Sequence, residues 1–301
     1  MKWKDFTVTV PASTANLGPG FDSIGLALDF HLSIHVSEYP EWVVEYINED
    51  YQHLPQSSNN LIVATAEKVA SKYGKRLQPA KLLIETDIPL GRGLGSSASA
   101  IAGGIEIADR LLGLNLEMAE KVRIGTELEG HPDNISASLL GGVTISYADA
   151  DELAVVHVPQ ADIGVIILVP PAVFLTSESR GLLPETLEYR NAISSSAAAN
   201  VVSAAIARGD WQTAGRMMEK DEFHEPYRKG KFPGFEEIRS TSREAGAYGS
   251  AISGAGPSLL IMVEKGREQE IAQTLSERFP HYECLVTKPA ETGIKSVQTV
   301  L

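Results

Sequence analysis

An α+β fold in two domains is predicted for this sequence of 301 residues, 43% of them hydrophobic, on three observations. Apolar residues alternate in short runs through the first half, with helical patterns set between them. From Ile163 the order changes to strand, helices, two strands, helix and strand, which suits an α+β sandwich. The chain is also long enough to bury two cores. The junction falls at Val158 to Asp162, giving domains of residues 1–160 and 161–301.

Phe6, Val8 and Val10 alternate with threonines in a first strand expected to stop at Pro11. Pro11 to Gly25 is a loop of small and polar residues. In it Gly18-Pro19-Gly20 supplies turn chemistry, and Asn16 and Asp22 add a carboxamide and a carboxylate. Ile24 to Val36 reads as paired strands and Trp42 to Ile47 as another. Asn59-Asn60 caps a helix that runs to about Tyr73 and stops at Gly74. Leu82 to Asp87 is the strand that feeds a glycine-rich loop, Pro89, Leu90, Gly91, Arg92, Gly93, Leu94 and Gly95, which opens a helix at Ser96 and Ser97. Glycines at alternate positions let the backbone turn and bring its N–H groups close to a ligand, and the helix end faces the same point. Such a loop holds an anion, and phosphate is the natural reading.

Spacing separates the phosphate-loop chemistries. The Walker pattern fails because no lysine occurs between Lys81 and Lys121. Gly93-Leu-Gly95-Ser-Ser-Ala98 satisfies the dinucleotide fingerprint, but that unit needs a strand after its helix. Here the helix ends at Gly113 and a second helical pattern follows from Asn115 to Glu129.

Val143 to Tyr147, Leu153 to Val158 and Ile163 to Val169 follow as strands, then helices at Asn191 to Arg208, Trp211 to Phe223 and Phe235 to Ala245. Strands at Gly249 to Ser253 and Leu259 to Glu264 flank the turn Gly254-Ala-Gly-Pro-Ser258. A helix over Arg267 to Phe279 and a strand over Tyr282 to Thr287 complete the pattern, which contains no internal repeat.

A net charge of -13 disfavours nucleic acid or an anionic membrane as partner, so positive potential for a nucleotide must be concentrated locally. The single cysteine, Cys284, excludes an intrachain disulfide and Cys-based zinc patterns. Met1 to Thr14 is too charged for a signal peptide, and the apolar run Ile163 to Leu175 holds Pro170 and Pro171 and is too short to span a bilayer. A cytoplasmic protein is expected. Monomer and homodimer both remain open.

Residues 89–98 follow the pattern Pro-x-x-x-Gly-Leu-Gly-Ser-Ser-Ala, and they resemble the phosphate loop of the galactokinase, homoserine kinase, mevalonate kinase and phosphomevalonate kinase superfamily. Pro11-Ala-Ser-Thr-Ala-Asn-Leu-Gly-Pro-Gly-Phe-Asp22 resembles, more specifically, the N-terminal segment of the homoserine kinases. The resemblance extends over nearly the whole chain. It implies an N-terminal domain like ribosomal protein S5 domain 2, a ferredoxin-like second domain, and transfer of the γ-phosphoryl of ATP to L-homoserine. It further implies a nucleotide contact at Asn60 and magnesium held by Glu129 with Ser96 or Ser97. Magnesium is also expected chemically, since it neutralises charge on a transferred phosphoryl group. In many relatives extra residues separate the Glu-Gly pair from the His-x-Asp-Asn segment, whereas here Glu129-Gly130 runs directly into His131-Pro-Asp133-Asn134.

By the same resemblance the acceptor is bound by Asn16, Asp22, His131, Thr176, Arg180, Arg228 and the turn at Gly254. A lone arginine is ordinarily solvated surface. Two at family positions in so acidic a chain suggest a planar clamp on a carboxylate. Neighbouring residues at a helix start point about 100° apart, so Asp133 and Asn134 are not expected to reach one hydroxyl together. Asn134 is expected to orient it, with Asp133 supporting the site. Two alternatives stand beside this reading. One is another kinase of the superfamily, though a mevalonate-type enzyme would need a lysine that Pro11 to Gly25 lacks. The other is a non-catalytic binding protein.

Overall fold

Buried Phe6, Val8 and Val10 alternate with half-buried threonines to make the start of β1 (Phe6–Ala15). The expected stop at Pro11 does not occur. Pro11 lies at a register shift against the next strand, where a residue without an N–H is tolerated, and the strand continues to Ala15. That next strand, β2 (Ile24–Glu38), is one continuous element rather than a pair. Its middle, around Asp29 and Phe30, breaks the burial alternation without reversing the chain. The structure is a computed structural model that describes residues 4–171 and 176–299. The apolar run that the sequence shows up to Leu175 lies partly outside these.

The chain continues through β3 (Val43–Tyr46), α1 (Leu61–Lys72), β4 (Ala80–Thr86), α2 (Ser96–Leu112), α3 (Met118–Glu129), α4 (Asp133–Leu140), β5 (Val143–Ala148) and β6 (Leu153–Val158). It then forms β7 (Gly164–Val169), α5 (Thr176–Arg180), α6 (Tyr189–Arg208), α7 (Trp211–Met218), α8 (Glu225–Arg228), α9 (Phe235–Glu244), β8 (Gly249–Ile252), β9 (Leu259–Val263), α10 (Glu268–Arg278), β10 (Glu283–Thr287) and β11 (Lys295–Gln298). The helix predicted over Trp211 to Phe223 ends early, for a local reason. Asp221 accepts backbone N–H bonds from Phe223, His224 and Glu225, which starts α8 instead.

Two sheets result. The first runs β11-β1-β2-β4-β3, with β5 on the other half of β2 and β6 beyond it, so the long strand serves two half-sheets. The second runs β10-β7-β9-β8, all antiparallel. Numbered within itself that order is 4-1-3-2, with helices between its first two and last two strands, as in a ferredoxin-like unit. β7 is buried throughout: Val165, Ile167 and Val169 join the core of the first layer, and Ile166 and Leu168 that of the second. β6 and β7, on either side of the expected junction, belong to different sheets, but the chain does not stay in the second layer. β11, which the sequence did not reveal, pairs with β1. Ahead of it Ala290 exchanges backbone bonds with Ala27 and Gly142, beside α4. No helix of the described residues is long and apolar enough to cross a membrane.

Candidate functional site

The glycine-rich loop leaves β4 and enters α2 with Gly91, Gly93 and Gly95 at φ of 66°, 72° and 69°. Space excludes side chains as firmly as conformation does. A Cβ on Gly93 would lie 2.4 Å from Ser253 O, and one on Gly95 would lie 2.1 Å from Ser13 Oγ. No side chain caps α2, so its first N–H groups are left for a ligand.

Two cavities meet at this loop and share Gly91, Ser96 and Ser97. One, of about 440 Å³, is a largely apolar cleft between Tyr46, Tyr51, Leu54, Pro55 and Ile88, with Leu90 on its rim. Asn60 lines it, but its side chain is committed. Its Oδ1 caps α1 by accepting from Ile62 N (3.0 Å), and its Nδ2 donates to Tyr46 Oη and Pro55 O. The other cavity, of about 90 Å³, is polar and gathers Asn16, Asp22, Gly93, Leu94, Gly95, Glu129, His131, Asp133, Asn134, Arg180, Arg228 and Gly254. Thus nearly all the residues singled out in the sequence converge.

Three loops far apart in the chain close around the second cavity. Asn16 Nδ2 donates to Gly254 O (2.9 Å) and Gly254 N to Ala15 O (3.1 Å), while Ser253 Oγ donates to Gly93 O (2.6 Å). Asn16 and Asp22 have φ of 74° and 53°, and Asn16 Oδ1 accepts from Asp22 N, so a side-chain bond stabilises the turn.

The two arginines differ in setting. Arg180 is half exposed and pairs bidentately with Asp22, at 2.8 and 3.1 Å. Arg228 is buried. Its Nη1 donates to His224 Nδ1 (3.1 Å) and Gly254 O (3.2 Å), and its Nε has no partner. Burial, then the like charge of Arg180, lowers the Arg228 pKa to about 10. Both guanidinium groups lie over the Phe21 ring, 5.8 and 5.5 Å from its centre. A desolvated cation with a spare donor is a place for an anionic group.

Opposite stand the acids. Ser97 Oγ donates to Glu129 Oε2 at 3.1 Å, and burial raises the Glu129 pKa against the pull of His131 and Ser97. Asp133 Oδ1 lies 2.5 Å from His131 Nδ1 and accepts from Asn134 N at 2.7 Å. Burial works against a proton on His131, yet the Asp133 carboxylate outweighs it and the pKa is raised. Asn134 Oδ1 accepts from Ser13 Oγ at 3.0 Å. Asp22, His131 and Asp133 each offer a ligand atom, all within 4.8 Å of one another.

Some expected residues stand apart. Arg92 donates to Pro170 O (2.7 Å) and lines neither cavity, nor does Pro89. Thr176 begins α5, and its side chain lies outside the described residues. The sequence reading missed Tyr46, whose only signal was an ordinary strand pattern, and Tyr51, which lies beyond that strand in a short 3-10 turn. It also missed Phe21, inside the segment Pro11 to Asp22, and His224.

A model of the GHMP kinases N terminal domain matches residues 60–142, and one of the GHMP kinases C terminal matches residues 202–281. The homoserine kinase of Bacillus velezensis is 45% identical over 96% of this chain and 94% of its own. That of Halalkalibacterium halodurans is 44% identical over 96% and 94%. Among solved structures, homoserine kinase from Cytophaga hutchinsonii superposes with a TM-score of 0.85 at 26% identity, covering 99% of this chain and 98% of that one. A mevalonate kinase structure, at 16% identity and a TM-score of 0.71 over 94% and 99%, shares the fold.

Proposed function

This chain belongs to the GHMP kinase family, and from that premise we propose that it is a homoserine kinase, phosphorylating L-homoserine from ATP to O-phospho-L-homoserine in threonine biosynthesis. The observation that carries the reading is the junction of the two cavities. An apolar cleft fit for a nucleoside and a polar one lined by two arginines meet at Gly91, Ser96 and Ser97. A phosphoryl group at that junction touches both substrates.

The loop amides and the start of α2 hold the phosphates. Arg228, with Nε unpartnered, receives the acceptor carboxylate. Arg180 turns to it by exchanging Asp22, which is then free for the ammonium group. Asn134 orients the side-chain hydroxyl, whose oxygen attacks the γ-phosphorus as the bond to the β-phosphate breaks, its proton passing late to a phosphoryl oxygen. Asp133, already holding His131 and the Asn134 amide, fixes the site. The Ser97 hydroxyl and Glu129 carboxylate are hard oxygen donors 3.1 Å apart and fit magnesium, Ser97 being the serine that meets Glu129. Bound there, magnesium would neutralise charge on the phosphoryl oxygens.

A coupled assay for ADP release, run over homoserine, mevalonate, galactose and shikimate, tests this. Turnover with homoserine is expected. Turnover with another acceptor and none with homoserine would overturn the substrate, and no turnover at all would favour a binding protein.

A further inference from the structure

His224 is wholly buried beside the polar cavity but does not line it. Its bonds are directional. Nδ1 lies 3.1 Å from Arg228 Nη1, a donor only, so Nδ1 must present its lone pair. Nε2 lies 3.1 Å from Gly18 O, an acceptor only, and 3.4 Å from Asp221 Oδ2, so Nε2 must carry the proton. The partners therefore select one neutral tautomer. Burial, opposed by Asp221 and aided by the charge of Arg228, lowers the pKa of His224 to about 4, in keeping with that neutral ring. The ring also stacks on Phe21, centre to centre 5.3 Å, and Phe21 lies beneath both guanidinium groups.

We propose that His224 is a positioning residue. It holds Nη1 of Arg228, so that the remaining guanidinium donors serve the acceptor carboxylate, and it ties that arginine to the loop carrying Asn16 and Asp22. Two elements 206 residues apart, measured between Gly18 and His224, are thereby set to one geometry. Gly18 is pressed against the end of α7, where a Cβ would lie 1.9 Å from Met218 O, so the loop cannot retreat from α8 without opening that contact. Neutral imidazole suits this work, since it accepts from a cation on one side and donates to a carbonyl on the other. A charged side chain could not do both.

The inference rests on the homoserine kinase reading, and two isosteric variants separate the parts. His224→Asn keeps an acceptor near the place of Nδ1. His224→Gln keeps a donor near the place of Nε2 and offers Arg228 nothing. With both variants checked for folding by thermal melting, His224→Gln should raise the homoserine KM about tenfold or more, leaving the ATP KM nearly unchanged, since a bond to a charged group is lost. His224→Asn should recover most of that loss. A second readout needs no substrate: hindered rotation of the Arg228 guanidinium, seen as separate Nη resonances by NMR, should persist in wild type and His224→Asn and average out in His224→Gln. Equal KM values and equal NMR behaviour in the two variants would overturn the proposal. A wild-type enzyme inert toward homoserine, with the NMR contrast intact, would overturn only the choice of acceptor.

Discussion

Arg228 and Arg180 carry the same charge on different footings, and their substitutions should differ accordingly. Arg228→Leu removes the buried partner proposed for the carboxylate and should weaken homoserine binding by about 2 to 5 kcal/mol. Arg180→Leu should cost less, because that side chain is half exposed and already shares its charge with Asp22. Homoserine and ATP KM values check both, and a larger effect at Arg180 would reverse the assignment. Glu129 and Glu127 provide a second internal control. Glu127 pairs with Lys72 in solvent, whereas Glu129 meets Ser97 at the cavity, so only Glu129→Gln should displace the magnesium dependence of activity. Equal displacements would remove Glu129 from the metal. A general base typically supplies about 10²- to 10⁴-fold. Folded Asp133→Asn should lose less than that range while Asn134→Ala loses kcat, and a thousandfold loss at Asp133 alone would exchange their roles. Residues of this kind were legible because the segments that hold them resemble those of the family. Phe21 and His224 were not, since their meaning depends on Arg228 and Gly18, which only folding brings alongside.

Among the elements, α8 shows how a four-residue helix can be held in place. Asp221 caps its start, and Glu225 fastens it inward by accepting from Ile252 N (2.8 Å) and Arg239 Nη2 (2.8 Å). Burial, outweighing Arg239, pushes the Glu225 pKa up to about 7, above its ordinary 4.5. Between those values the folded chain retains a proton that the unfolded chain loses. This group's stabilisation is therefore full at low pH and is lost as pH rises through about 7. The stability of wild type relative to Glu225→Gln should fall from pH 5 to 7 and level off above, as read by urea unfolding. A difference that grows with pH would mark Glu225 as an ordinary ion-pair carboxylate. Most elements were visible in the sequence from apolar period and glycine stops, such as Gly113 after α2. Proline misled at β1, because a register shift accommodates it, and the Asp221 side chain gathers the N–H groups that open α8, which periodicity does not register.

On the scale of the molecule, the C-terminal segment returns to the first layer, and its packing there is expected to support it. Residues 289–294 run beside α4, so close that a Cβ on Gly293 would lie 2.1 Å from Leu139 O, whereas β11 beyond them is mostly exposed. Truncation after Lys288 should lower the melting temperature and remove activity, because α4 begins at Asp133 and Asn134. Truncation after Ile294 should spare activity but bare the edge of β1 and promote association. Equal melting temperatures for the two would assign the support to β11 instead. The sequence hid this return because four mostly exposed residues carry no apolar signature. The division of labour within the site has one more consequence. In the proposed reading the phosphates meet mainly loop amides, around Gly91, Gly93 and Gly95, while the acceptor would be met by the side chains of Asp22, Asn134, Arg180 and Arg228, which line the second cavity. Donor and acceptor can therefore diverge on separate genetic accounts. A lineage can exchange the acceptor residues without disturbing the cradle, and one inherited ATP site can be kept through many changes of metabolite.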